Sequence, residues 1–166
     1  RFIGYISFVG CLAAIYALIS LWSTDKQVFS GMLTINPYSH AFSLIILISA
    51  ALVCLTAAEA VVQDKIGEFY SILLLSTFGM IVMASSQNLI IIFLGLEILS
   101  IGLYSLIGMN RSRVRSLEAA MKYFVLGALA SGLLLYGISM IYGATGSIEF
   151  QAVAEALTKT GMNDTV

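Results

Sequence analysis

The chain has 166 residues, of which 60% are hydrophobic and only 10% charged, with a formal net charge of −1. A soluble domain carries roughly 25% charged residues, so that class is excluded; the mean hydropathy of +0.99 points to a polytopic protein of the lipid bilayer. No basic stripe is available to meet phosphates, which excludes nucleic acid as a partner.

Five apolar segments follow one another. The first covers about 2–22 and ends at the polar stretch 23–27. Arg1 is not a methionine and no small-residue cleavage site follows, which leaves a processed product, a split subunit and a fragment all open. The second segment, about 37–62, starts at Asn36-Pro37, a cap residue followed by proline at the first helical position. The third covers about 68–84, with Ser85-Ser86-Gln87-Asn88 as the turn after it, and the fourth about 88–108. The fifth covers about 117–142. These five lie within 1–147; a polar tail, 148–166, holds a candidate interfacial helix at 151–157. The expected fold class is all-α, a polytopic transmembrane helical bundle whose short loops make neighbouring helices antiparallel.

Loop 109–116 contains Arg111, Arg113 and Arg115, which the positive-inside rule places on the cytoplasmic or matrix side. Counting back, Asp64, Lys65 and Arg1 fall on that side, and Lys26 and Lys159 on the other.

Glu97 is the most informative residue. It lies within the apolar run 89–107, and no other charged side chain occurs between Glu68 and Arg111. A carboxylate at such a depth costs at least about 2.5 kcal/mol by insertion scales, so it should face protein or water and points to an ion or proton path. The plainer reading is a buried carboxylate that only hydrogen-bonds a neighbouring helix. Lys122 is the second candidate, roughly 9 Å into the fifth span at 1.5 Å per residue. It can act in proton transfer, or simply snorkel to the surface and pair with Glu118 four residues earlier. Glu118 reads as an interfacial carboxylate near a helix N-terminus. Glu59 and Glu68 flank the second inside loop and read as solvated helix ends, though Glu59 could line a cytoplasmic access route. His40 reads as interfacial, since one histidine makes no metal site. Cys11 and Cys54 read as small core residues. Gly127, Ala128, Ser131 and Gly132 allow close helix contact, as do Gly95 and Gly102, and packing suffices as their role. No phosphate loop, nucleophile with base, or cysteine cluster is visible.

Segments 68–80 (EFYSILLLSTFGM), 88–90 (NLI), 93–100 (FLGLEILS), Tyr104, 116–128 (SLEAAMKYFVLGA) and 136–143 (YGISMIYG) resemble the antiporter-like subunits of respiratory complex I. The likeness covers about 32–150 and is greatest for the subunit N branch of NADH-quinone oxidoreductase, called subunit 2 in mitochondria. It implies that Glu97 is the family's glutamate on helix 5 and Lys122 its lysine on helix 6, in a half-channel and charged axis that carries protons; Glu118 is a third candidate for the relay. The family has about fourteen helices in two inverted repeats. The five spans here would be helices 2 to 6, so a complete path needs groups beyond these 166 residues. The resemblance further implies no cofactor or metal on this chain, with NAD, FMN, iron–sulfur clusters and quinone on partner subunits. Other antiporter-like and small transmembrane subunits would be its neighbours, in a bacterial plasma membrane or mitochondrial inner membrane. A subunit of a multisubunit cation/proton antiporter, and a purely structural membrane-arm fragment, remain alternatives.

Overall fold

A computed structural model describes residues 2–60 and 65–163, with the side chains of 58–60 and 160–163 excepted. Arg1, the 61–62 end of the second expected span, Asp64 and the last three residues lie outside the described residues, as does the Glu59 side chain.

The order is α1 (Phe2–Ser20), β1 (Lys26–Val28), β2 (Leu33–Ile35), α2 (Pro37–Ala60), α3 (Ile66–Ala84), α4 (Leu89–Ile107), α5 (Val114–Thr145) and α6 (Phe150–Asn163). Helices α1 to α5 are each long and apolar enough to cross a bilayer. Besides helices there is a two-stranded antiparallel hairpin, with Gln27 opposite Thr34. It falls in a segment that a helix-period reading passes over, because its strands are three residues long.

Local chemistry sets the helix ends. Asn36 caps α2 through Oδ1, which accepts from the Ser39 backbone N–H at 2.8 Å, and Pro37 follows without a donor to lose. Asn88 caps α4, its Oδ1 accepting from Ile90 N–H at 2.9 Å. Helix α5 ends at Gly146, whose φ of 72° suits glycine alone without cost. At 32 residues α5 is about 48 Å long, so it exceeds a hydrocarbon core of about 30 Å.

Helices α1, α2 and α3 pack mutually, α4 lies against α3, and α5 against α4. The core of the first group is Cys11, Ala50, Ala51, Cys54 and Tyr70. The Tyr70 hydroxyl donates to the Cys54 carbonyl at 2.9 Å and joins α3 to α2. Between α3 and α4 the contact is backbone to backbone: a Cβ on Gly79 would stand 2.7 Å from the Gly95 carbonyl oxygen. In lipid, where apolar burial alone does not drive association, such close approach is the main source of helix attraction.

At one end of the bundle three separate segments are stitched by backbone bonds. Thr34 N–H donates to Ser85 O at 2.7 Å, Gln87 N–H to Met32 O at 3.1 Å, and Leu89 N–H to Ile148 O at 2.9 Å. The opposite end carries the arginine loop, where Lys65 Nζ donates to Met109 O at 3.0 Å and ties the two loops of that end together.

Candidate functional site

Glu97 lies eight residues from the start of α4 and ten from its end, hence near mid-bilayer. Its carboxylate is half-buried and turned to α5, where the Ser131 hydroxyl donates to Oε1. Residues 100 and 104 follow at three and seven, so Ser100 and Tyr104 share its side of α4. With Gly127 and Ser131 of α5 they line a groove of about 280 Å³ that leads from the Glu97 level toward the arginine end. Its polar groups are Ser100, Tyr104 and Ser131; Leu96, Leu99, Ala130 and Leu134 make the rest of the wall largely apolar. Tyr104 packs across onto α5: its ring lies 5.8 Å from Tyr123, and a Cβ on Gly127 would collide with its hydroxyl.

Lys122 and Glu118 pair with each other at 2.5 Å on the exposed side of α5. Among the described residues this is the only ion pair. Lys122 precedes Ser131 by nine residues, which is about 13 Å along the axis and half a turn around it. Lys122 therefore projects from the opposite side of α5 from the one that meets Glu97. Glu97 and the Lys122–Glu118 pair are thus two separate charged positions, about half a membrane apart in depth. Ser131, the group that touches Glu97, reads in the sequence only as a packing residue. Its spacing of four from Gly127, on the stripe that meets α4, is the signal that marks it.

His40 is buried at the start of α2, stacked on Trp22 at 5.9 Å. Gly95 and Gly102 are buried against α3, where they serve packing; Gly132 meets nothing within 4 Å.

A profile of the family described as NADH:quinone oxidoreductase/Mrp antiporter, transmembrane, matches residues 86–165, the stretch that contains Glu97, Lys122 and Ser131. NADH-quinone oxidoreductase subunit N of Trichlorobacter lovleyi is 38% identical over 162 residues, covering 96% of this chain and 33% of the relative. The subunit N of an Azoarcus species is 44% identical over 140 residues, covering 83% and 28%. Over nearly its whole length the chain is similar to the antiporter-like membrane subunits of complex I. Its fold is like theirs as well. A chain of respiratory complex I from Thermus thermophilus superposes with a TM-score of 0.76 at 31% identity, covering 93% of this chain and 36% of that one. A chain of the archaeal membrane-bound sulfane sulfur reductase gives 0.73 at 27% identity, covering 93% and 33%. The protein is a multi-pass membrane protein and spans about a third of the length of the curated relatives it matches.

Proposed function

We propose that this chain works as a membrane-arm component of a proton-translocating NADH:quinone oxidoreductase, in which Glu97 is a protonation site inside the bilayer. The observation that carries the reading is the position of Glu97: near the middle of α4, half-buried, bonded to Ser131, with Ser100 and Tyr104 on the same side of the helix. Protons reach it from the arginine end, taken as the cytoplasmic or matrix side, through water held by Ser100 and Tyr104. Ser131 holds the carboxyl group through the hydrogen bond it donates, and a proton carried there passes on to a basic group beyond these residues.

Lys122 and Glu118 act as a second, interfacial charge pair rather than as a direct partner of Glu97. Transfer between groups needs hydrogen-bond reach or a bridging water, and about 13 Å of helix separates their levels. NAD, FMN, iron–sulfur clusters and quinone belong to partner subunits in this reading, and the Mrp-type cation/proton exchanger is its rival. Affinity purification from the native membrane decides between them. Co-purification of NADH-oxidising, iron–sulfur subunits together with NADH-driven acidification of vesicles is expected. Recovery with antiporter subunits alone, and cation-driven proton flux without NADH, would overturn the proposal.

A further inference from the structure

The end of the bundle opposite the arginine loop holds a polar cavity of about 370 Å³ that the proton path does not use. Three distant segments build it: Gln27, Ser30 and Thr34 of the hairpin, Gln87 of the α3–α4 turn, and Glu149 and Gln151 of the α5–α6 link. Thr34 is 8% exposed, lines this cavity, and its Oγ1 has no hydrogen-bond partner. A buried hydroxyl left without a partner costs roughly 1–3 kcal/mol, which points to a group that supplies one. The hairpin turn above is strained: Phe29 and Ser30 hold φ of 53° and 56°, in a region costly for residues other than glycine. Among the described residues Glu149 is the only charged side chain on the wall, so the cavity favours a cation over an anion.

An apolar groove of about 510 Å³ is lined by the chain neighbours of the polar cavity's residues. Ser86 and Phe150 line the groove while their chain neighbours Gln87, Glu149 and Gln151 line the cavity. From there Tyr38, Phe42, Met83 and Leu99 carry it into the bundle. Leu99 lies ten residues into α4, about 15 Å below the span's start. Trp22 and Tyr38, both exposed, mark this level as the membrane interface, where amphipathic rings concentrate.

We infer that the two compartments together bind one phospholipid with a primary-amine headgroup, its ammonium at Glu149 and one acyl chain in the Tyr38–Leu99 groove. The order of polarity matches such an amphiphile: a hydrogen-bonding, singly negative chamber at headgroup depth over an apolar channel at chain depth. The carboxylate of Glu149, the amide oxygens and the Thr34 hydroxyl are acceptors for three ammonium N–H groups. The amide N–H groups of the glutamines face the phosphate. A quaternary choline head keeps the charge but has no N–H to donate, and a glycerol head lacks the cation.

The full chain, purified in whatever assembly it forms, is placed in nanodiscs of equal phosphatidylethanolamine, phosphatidylcholine and phosphatidylglycerol. Lipids retained on release are counted by native mass spectrometry. Ethanolamine lipid is expected to exceed each of the others by roughly tenfold, the worth of one charge-assisted hydrogen bond. Glu149→Gln, and independently Gln151→Ala on the cavity wall, should cut that preference with unchanged helicity and total retained lipid. Ala84→Trp, at the groove wall, should lower retention of all three classes. Equal retention of ethanolamine and choline lipids by the wild type, or an undiminished preference in Glu149→Gln, would overturn the site. Displacement by excess free phosphoethanolamine would mark a soluble phosphate ester as the ligand and overturn the lipid assignment.

Discussion

Helix α4 has two sides built on opposite principles. Toward α3 it presents Gly95 and Gly102, both buried, with backbone pressed on backbone. Toward α5 it presents Glu97, Ser100 and Tyr104 across an open groove. Two residues of α-helix turn through about 200°, so the glycine and carboxylate stripes, each with a period of seven, lie on opposite sides of one rod. One side is closed and held by backbone contact; the other carries the polar side chains beside an open, largely apolar groove. A carboxylate can be kept at mid-membrane because the glycine side fixes its helix without needing the charged side to pack.

Breaking the closed side should have the largest effect on stability. Gly95→Leu would drive side-chain atoms into Met83 and the Gly79 carbonyl, and is expected to cost about 3 kcal/mol or more. Gly132→Leu, where a Cβ meets nothing, should change stability by less than about 0.5 kcal/mol. Thermal denaturation in detergent, followed by far-UV circular dichroism, compares the two. Equal costs would refute the contrast. Next in size, Asn88→Ala removes the cap of α4 and should lower stability by about 1 kcal/mol in the same assay. On the polar side, Ser131→Ala should cost only about 0.6 kcal/mol, the usual worth of an interhelical side-chain bond in membranes. Its flux through the assembled complex should fall severalfold, which separates a proton role from a packing role. The smallest effect is expected for Glu118→Gln, at no more than about 0.5 kcal/mol, because the pair it breaks is exposed and within one helix.

Much of this contrast is legible in the residues themselves. The five apolar runs and the single carboxylate at position 97 define the fold class, because a bilayer demands long helices and penalises charge. The seven-residue spacings of Gly95 with Gly102 and of Glu97 with Tyr104 already separate the two sides of α4. Other features depend on tertiary register. That Gly79 crosses Gly95, and that Ser131 rather than Lys122 meets Glu97, follows from how α3 and α5 slide along α4, which no local pattern sets. Lys122 could have been placed away from the Ser131 side by counting nine residues, but which side of α5 meets α4 requires the structure. The 26–35 hairpin escapes periodicity altogether, since its strands are too short to show alternation; the bonds from Thr34 and Gln87 across the end of the bundle hold it.

Glu97→Gln tests the central claim most directly. The substitution keeps the shape and the hydrogen bond to Ser131 but removes the titrating proton. With the variant assembled to wild-type level, NADH-driven proton translocation into vesicles should fall at least about tenfold, the size expected for losing one proton-transfer group. Undiminished translocation per assembled complex would contradict the account and leave Glu97 a structural residue.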